Sequence, residues 1–560
     1  MLLRLVSKAA SLFLKSFLHD RTPIGEKVMK NSRKLCVGLA AIATTLAGGA
    51  FAQVVTPIVE TKSGKVQGLE EGGVDAFLGI RYAAPPTGEL RFQPPQTPEA
   101  WSGIGDATGM GAPCMQLYTP SGPNETDLTR QMQGIFPTAT EAKIDNEDCL
   151  FLNVWTPDAS SGKRPVMVWF HGGGYAYGSG GWPAYNGRNL AEKGDVVVVT
   201  VNHRLNAFGY LNLADKFGDD FAASGNVGNL DLVRSLEWVR DNIAAFGGDP
   251  GNVTIMGESG GGSKVSHLMA MPSAKGLFHK AVVQSGPGVT SGKPDEAASF
   301  AEDILEAAGV STVDELRTLP AEELLIAVRK ATPPNSGFGR GPSLGPIADG
   351  TILPRDPFVP AAPEQSRGIP LMIGYNKDEM TLFVASQPWF GRIDEAQLAG
   401  MSAMMGPDAV AAVAAYRKMH PDYSPSHIAA NAMGARFVQG TYLLADQQSR
   451  TATAPVYVYR LTWETPVGGG VLKSPHTLDI PLMFDNAVES AALVGTGDDP
   501  AKMAEMMSDA WISFAKTGTP SSDLLPEWKP YSAKSRMVME LDLEPRVVDD
   551  PEASIRTIGK

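Results

Sequence analysis

Gly257-Glu258-Ser259-Gly260-Gly261 is the segment from which the architecture of this chain can be inferred. It follows Val253-Thr254-Ile255-Met256, an apolar run typical of a buried strand, and precedes a run at 263–270 that can continue as a helix. G-x-S-x-G between a strand and a helix is typical of a nucleophile elbow, because the glycines allow a turn sharp enough to expose the serine hydroxyl above the sheet. Ser259 is therefore predicted to be a nucleophile.

The same pentapeptide pattern occurs a second time, at Gly341-Pro342-Ser343-Leu344-Gly345. No strand-like run precedes this copy, and Pro342 restricts the residue before it, so the segment is predicted to be a loop. We interpret Ser343 as a chance match and Ser259 as the residue at the elbow.

The N-terminus has the features of an export signal. Residues 29–34 are rich in basic side chains, residues 36–47 are mildly apolar, and Ala50-Phe51-Ala52 fits a cleavage site that would leave Gln53 first. Residues 1–52 are predicted to be an N-terminal extension and signal peptide, with translation starting at Met29. The alternatives are a membrane anchor, a disordered tail, or an interfacial helix over 1–28. Because the apolar run is too short for a stable membrane span, we expect a secreted or periplasmic protein.

The remaining chain is strongly acidic. The sequence has 48 basic and 61 acidic residues, and removing the eight basic and two acidic residues of 1–52 leaves 40 and 59, a formal charge of −19. This charge argues against nucleic acid as a partner.

Cys36 leaves with the signal, so the two remaining cysteines, Cys114 and Cys149, predict one disulfide in an exported chain. Two buried free thiols are the alternative.

Strand-like and helix-like segments alternate over most of the chain. Residues 229–246 have helical spacing, and Gly247-Gly248-Asp249-Pro250 is expected to end that helix. Strand-like runs lie at 58–61, 65–68, 77–82, 150–155, 166–170, 196–201, 253–256, 281–283, 370–374 and 456–463. The alternation predicts an α/β fold with a large, mostly parallel sheet built between about 150 and 463 and flanked by helices. We expect one domain over 53–560, with helical lid insertions near 287–365 and 397–440.

His171-Gly172-Gly173-Gly174 follows the strand-like run at 166–170. A histidine followed by three glycines at this place is typical of the oxyanion loop of esterases and lipases. Acyl transfer places negative charge on the former carbonyl oxygen, and backbone N–H groups can stabilise it when glycine allows the chain to approach closely. The backbone N–H groups of Gly173, Gly174 and Gly260 are the predicted donors.

The general base is expected to be a histidine late in the chain, after the acid. His476 follows the strand-like run at 456–463 and a glycine-rich turn, so its loop can return to the carboxyl edge of the sheet, and it is the first choice. His427 is the second choice. The other histidines after Ser259 are excluded by position: His267, His279 and His420. Asp378 and Glu379 both follow the run at 370–374, and the chemistry alone leaves the choice of acid between them open.

At this point the chain resembles the type B carboxylesterase family, the cholinesterase-like branch of the α/β-hydrolases, and looks like a bacterial secreted member. The resemblance covers almost the whole mature chain. It is carried by Glu147-Asp148-Cys149-Leu150-Phe151-Leu152-Asn153, by the segment from Asn226-Val227-Gly228 to Phe246-Gly247-Gly248-Asp249-Pro250, by Tyr82-Ala83-Ala84-Pro85-Pro86 and by Arg91-Phe92. The resemblance implies an α/β-hydrolase fold and a carboxylic ester hydrolase.

The resemblance also assigns roles to individual residues. It implies Glu379 as the acid and, through the segment His476-Thr477-Leu478-Asp479-Ile480-Pro481, His476 as the base. It further implies a Cys114–Cys149 disulfide, and supporting roles for Glu258 beside the nucleophile and for Ser285. The chain departs from the family pattern at two positions: Gly260 stands where alanine is usual, and Met380 stands where glycine usually follows the acid.

We therefore expect a serine hydrolase that cleaves carboxylic esters through a Ser259-His476-Glu379 triad and an acyl-enzyme, with no metal or organic cofactor. Amide or carbamate hydrolysis and transesterification on the same triad are alternatives, as is a non-catalytic, neuroligin-like binding protein. Apolar residues between 389 and 405 predict a small ester substrate with apolar or aromatic groups, although such residues are more often plain core: Trp389, Phe390, Met401, Met404 and Met405.

Overall fold

An 11-stranded sheet dominates the computed structural model, which describes residues 56–116, 136, 145–333 and 342–559. In chain order the strands of the described part are β1 (Val59–Glu60), β2 (Lys65–Gln67), β3 (Leu69–Glu71), β4 (Val74–Arg81), β5 (Ile104–Asp106), β6 (Phe151–Thr156), β7 (Arg164–Phe170), β8 (Val197–Val201), β9 (Gly248–Glu258), β10 (Lys280–Gln284), β11 (Leu371–Asn376), β12 (Val456–Leu461), β13 (Met537–Leu541) and β14 (Arg546–Asp549).

The spatial order of the large sheet is β14-β13-β12-β11-β10-β9-β7-β8-β6-β4-β3. From β13 to β8 in this order, every adjacent pair of strands is parallel. The pairs outside this block, toward both edges, are antiparallel. The sheet is wider than the predicted 150–463, because β3 and β4 extend one edge and the β13–β14 hairpin extends the other. Strands β1, β2 and β5 form a separate small sheet.

The valine-rich strand β8 is buried along its whole length, as expected for a strand covered on both faces. Because successive side chains point to opposite faces, its residues divide between two apolar cores. Val197, Val199 and Val201 lie in one core, and Val198 lies in the other. Helices cover both faces, which confirms the predicted α/β architecture.

The helices of the described residues are connections and insertions between these strands. They are α1 (Arg188–Gly194), α2 (Asn206–Tyr210), α3 (Ala214–Phe217), α4 (Val227–Asn242), α5 (Gly260–Ala270), α6 (Pro294–Ala308), α7 (Val313–Thr318), α8 (Ala321–Ala331), α9 (Thr381–Val384), α10 (Glu395–Met405), α11 (Pro407–Met419), α12 (Pro425–Thr451), α13 (Asp479–Met483), α14 (Ala491–Val494), α15 (Asp498–Thr517) and α16 (Ala553–Arg556). Helices α6–α8 and α10–α12 occupy the two segments predicted to be insertions.

Helix α4 ends at Asn242 and continues as a short 3-10 helix, Ile243–Phe246. This helical segment stops at Gly247, as predicted, where a φ of 77° is in the left-handed region that glycine adopts easily. The following strand begins earlier than the apolar pattern indicates. Gly248 already pairs with Arg164 of β7, so β9 includes Gly248-Asp249-Pro250 before the predicted run begins. Backbone pairing, and not side-chain pattern, sets this boundary.

Parallel strands place their carboxyl ends at one edge of the sheet, and this edge is where ligands bind in open α/β sheets. Strands β7, β9, β10, β11 and β12 all end there. Every predicted site segment leaves one of these ends: His171–Gly174, Ser259, Ser285, Asp378–Glu379 and, after a longer loop, His476.

Residues Val55–Lys560 form one compact unit. The predicted signal peptide and the boundary after residue 52 lie outside the described residues. Among the helices of the described ranges, none is both long enough and apolar enough to cross a membrane.

Candidate active site

Ser259 occupies the sharp turn between the end of β9 and the start of α5. Its φ of 57° and ψ of −123° are strained for a residue with a side chain. The turn is held by the Ser259 N–H, which donates to the Gln284 carbonyl at 2.8 Å. A Cβ atom on Gly286 would lie 1.7 Å from the Ser259 carbonyl oxygen, so the chain can approach the elbow here only at a glycine. The elbow is thus fixed by its neighbours.

The glycine loop after β7 lies directly against this turn. Gly173 and Gly174 have φ values of 82° and 62°, which favour glycine. A Cβ atom on Gly260 would lie 2.6 Å from the Gly174 nitrogen, and one on Gly172 would lie 3.4 Å from Cβ of Ser259. The structure therefore brings the segment with the predicted oxyanion donors next to the predicted nucleophile.

Glu379 and His476 lie together although almost one hundred residues separate them. Nδ1 of His476 is 2.5 Å from Oε2 of Glu379, and the His476 backbone N–H donates to the Glu379 carbonyl at 3.2 Å. The other carboxylate oxygen of Glu379 accepts from the Asn376 backbone N–H at 2.8 Å. All three residues are buried, so the carboxylate is held in one orientation toward the imidazole.

Asp378, the alternative acid, points elsewhere. Its two carboxylate oxygens accept from the Asn431 amide at 3.1 Å and from the Ser474 backbone N–H at 3.2 Å. The Asp378 backbone N–H in turn donates to the Ser474 carbonyl at 2.9 Å. Asp378 therefore joins the two loops that carry Glu379 and His476, and its carboxylate binds these partners instead of the imidazole.

Glu258 is the second carboxylate beside His476. Its Oε1 lies 3.1 Å from Nε2, within ion-pair distance, but forms no hydrogen bond with a described residue. Burial raises the pKa of Glu258 to about 8, although His476 opposes this shift. Burial disfavours the imidazolium, yet Glu258 and Glu379 outweigh it and raise the pKa of His476 to about 9. The two carboxylates therefore stabilise a charged His476.

The remaining predicted residues lie around this centre. Ser285 follows β10 with a φ of 48°, and its N–H donates to the Gly374 carbonyl at 2.8 Å. Both ring nitrogens of the second-choice base, His427, are engaged away from the elbow, one by the Ser424 hydroxyl and one by the Val471 carbonyl. His267 lies on α5, as predicted, and contacts the Ser263 carbonyl.

Two aromatic rings beside His476 were not predicted from the sequence. The ring centroids of Phe383 and Phe437 lie 5.2 and 5.3 Å from that of the imidazole. Phe437 belongs to α12, inside a segment predicted only as an insertion. Nothing in the local pattern of α12 distinguishes this residue from ordinary core, so the sequence carried no signal for it.

A buried polar network behind His476 was also missed in part. Asp479 accepts from the Gln284 amide and the Tyr459 hydroxyl, each at 2.8 Å. Gln284 accepts in turn from the Trp511 indole at 3.0 Å. Asp479 belongs to the quoted segment around His476, which was the available signal, but the other three members of the network come from the distant elements β10, β12 and α15.

Cys114 and Cys149 form a disulfide across a sequence separation of 35, which confirms the predicted pairing. Cys149 directly precedes the strand region of β6, and both cysteines are buried in one of the two cores. The bond therefore ties the segment before residue 116 to the main sheet.

Comparison with known proteins gives a consistent result. A sequence model of the carboxylesterase family matches residues 55–555. The chain is 37% identical to the para-nitrobenzyl esterase of Bacillus subtilis (strain 168) over 503 residues, which cover 89% of this chain and 97% of the relative.

Solved structures agree with this family. The crystal structure of the carboxylesterase EST55 of Geobacillus stearothermophilus matches with a TM-score of 0.75 and 36% identity, covering 90% of this chain and 100% of that one. An esterase from Clostridium hathewayi, described as able to hydrolyse aliphatic aromatic polyesters, matches with a TM-score of 0.74 and 33% identity, covering 90% and 97%. The chain therefore belongs to the carboxylesterase family, has the α/β-hydrolase fold and is a carboxylic ester hydrolase.

Proposed function

We propose that Ser259, His476 and Glu379 form the catalytic triad of this esterase. The observation that carries the proposal is the 2.5 Å approach of Glu379 Oε2 to Nδ1 of His476, beside the strained turn that holds Ser259. Glu258, the residue before Ser259, lies 3.1 Å from Nε2 of the same imidazole. The second ring nitrogen is thus on the elbow side, as a base for the serine hydroxyl requires.

In the proposed reaction the Ser259 oxygen attacks the ester carbonyl while His476 takes the hydroxyl proton. Glu379 fixes the tautomer and stabilises the imidazolium. His476 then gives the proton to the leaving alcohol, and an acyl-enzyme remains on Ser259. Water, deprotonated by His476, attacks this acyl group and releases the carboxylic acid, which restores the serine.

The negative charge of each tetrahedral intermediate falls beside the glycine loop. We assign the N–H groups of Gly173, Gly174 and Gly260 as donors to this oxygen. Removing one such donor typically lowers the rate by about 100- to 1,000-fold. The close packing of Gly172 and Gly174 against the elbow supports this assignment.

We infer a preference for small esters with an apolar or aromatic group. Phe383 and Phe437 flank the imidazole, which places two aromatic rings beside the proposed base. Trp389 and Phe390, like these two rings, pack against a small apolar cluster, whereas Met404 is 83% exposed. The buried members of that cluster are Met380, Val384 and Ala430. Aromatic residues near His476, more than the methionines of α10, therefore support this preference.

The test of the triad is the Ser259→Ala variant assayed on short nitrophenyl esters. Turnover should be lost, and covalent labelling by an organophosphonate should disappear. Ser343→Ala, which removes the exposed serine of the second G-x-S-x-G match, is the matched control and should keep both. Retained turnover in the Ser259 variant would refute the proposal. Parallel assays on matched ester and amide substrates separate ester from amide hydrolysis.

We also propose that the chain is exported, with cleavage after Ala52. The disulfide between two buried cysteines supports an oxidising compartment. N-terminal sequencing of the mature protein from a Gram-negative host should start at Gln53. An intact N-terminus on protein recovered from the cytoplasm would contradict this proposal.

A further inference from the structure

Lys264 is a buried lysine near the start of α5, the helix that directly follows Ser259. Its side chain is fully buried. Its Nζ donates to the His171 backbone carbonyl at 2.8 Å and lies 5.5 Å from the centre of the Tyr175 ring. A buried amino group is unfavourable unless its hydrogen bonds are satisfied, so these contacts define what the residue does in the fold.

Both contacts belong to the glycine loop. His171 is the first residue after β7 and directly precedes Gly172–Gly174, and Tyr175 directly follows them. Next to Lys264, Ser263 accepts a 2.7 Å hydrogen bond from the Tyr175 hydroxyl. Two consecutive residues of the elbow helix thus bind the two ends of the loop that carries the predicted oxyanion donors.

The surroundings of Lys264 offer no charge to balance it. Within the described ranges no carboxylate forms an ion pair with it. The imidazoles whose pKa it affects are those of His171 and His203, which stack with their ring centroids 4.7 Å apart. Burial, reinforced by Lys264, lowers the pKa of both imidazoles well below the usual value, so both are neutral. Burial also lowers the pKa of Lys264 itself. An ordinary salt bridge therefore does not explain a lysine here.

We propose that Lys264 is a positioning residue for the esterase reaction: it clamps the loop 171–175 to the elbow helix and so fixes the distance between the oxyanion donors and Ser259. The inference rests on the proposed function of Ser259 and of the glycine loop. Catalytic geometry is sensitive at this scale, since a displacement of about 1 Å can lower the rate by roughly 100-fold. Glycine-rich backbone is conformationally flexible, so contacts from another element are needed to hold the loop in one position.

The experiment compares the Lys264→Met variant with the unmodified protein by two measurements. One is turnover of a short nitrophenyl ester, and the other is inhibition by a trifluoromethyl ketone, which forms a tetrahedral adduct with an active serine. We expect kcat to fall by about 10- to 100-fold and the inhibition constant of the ketone to rise by a similar factor, while KM changes less than about threefold. Lys264→Arg, which can still donate to the carbonyl, should recover part of the loss.

Lys280→Met is the matched control, because Lys280 is a buried lysine of β10 that bonds Asn252 away from the loop. It should leave kcat and the inhibition constant unchanged. Unchanged values in Lys264→Met, or equal losses in the two variants, would overturn the clamp. If Lys264→Met does not fold, Lys264→Arg and Lys264→Gln are compared in its place by the same two constants, and equal values in both and the unmodified chain would overturn it. Retained turnover in Ser259→Ala would instead refute the triad.

Discussion

Glu379 and His476 are joined twice: Oε2 lies 2.5 Å from the ring nitrogen Nδ1, and the His476 backbone N–H donates to the Glu379 carbonyl at 3.2 Å. The first contact orients the imidazole, and the second holds its loop against the turn after β11. Since both contacts are buried, solvent does not compete with them. The same pair of residues therefore fixes both the orientation of the imidazole and the position of the loop that carries it.

The two neighbouring acids should respond differently to removal of their charge. Glu379→Gln should lower kcat by roughly 1,000- to 10,000-fold, because an amide no longer holds the required tautomer. Asp378→Asn should keep kcat within about tenfold and instead destabilise the fold by about 1–3 kcal/mol, because it disturbs the bonds to Asn431 and Ser474. Steady-state kinetics and urea unfolding measure both effects. The reverse pattern would identify Asp378 as the acid.

The acid limb of the pH profile should depend on Glu258. His476 accepts a proton from serine only when it is neutral, and the two carboxylates raise its pKa to about 9. Activity should therefore fall as the pH is lowered through this raised pKa. In Glu258→Gln one negative charge is lost, so the limb of kcat/KM should move to lower pH.

Glu258→Asp keeps the charge and serves as the control, with a limb closer to that of the unmodified chain. The profiles should be recorded from pH 5 upward at constant ionic strength. A limb at the same pH in all three proteins would mean that Glu258 does not set the charge state of His476.

Gly260→Ala should impair catalysis although alanine is usual at this position in the family. The new Cβ would lie 2.2 Å from the Gly174 carbonyl oxygen and 2.6 Å from its nitrogen. Because both neighbours are backbone atoms, the glycine loop must move, and kcat should fall by about 100-fold. Gly400→Ala, where no atom lies within 4 Å of the new carbon, is the control. Equal activity in the two variants would show that the loop accommodates the methyl group.

Removal of the disulfide should affect stability more than activity. The loop closed between Cys114 and Cys149 spans a sequence separation of 35, for which chain entropy predicts a loss of about 4 kcal/mol. The double variant C114A/C149A should unfold at lower urea concentration with an unchanged KM. An unchanged unfolding midpoint would show that the disulfide does not contribute to the free energy of unfolding.

The central strands were predictable because their side chains are buried on both faces, as at β8, where every residue is apolar or threonine. The edge strands β3 and β14 were not, because half-exposed residues such as those of β14 give a weak pattern. Strand β13, next to β14, is largely buried but was also not predicted. Ser259 and the glycine loop were indicated by local motifs. The choice of Glu379 over Asp378 needed the family resemblance, since the decisive difference is which carboxylate faces the imidazole. Phe437 and Lys264 act across elements, and no local pattern reports such contacts.

The order of the strands has a consequence for how this esterase can change. The chain leaves the sheet after β10 and returns at the adjacent β11, then leaves after β11 and returns at the adjacent β12. Both excursions can gain or lose residues while their anchor points stay beside each other. Directed evolution that varies the length of 287–365 or 381–451 should therefore alter which molecules gain access, with the reacting groups left in register.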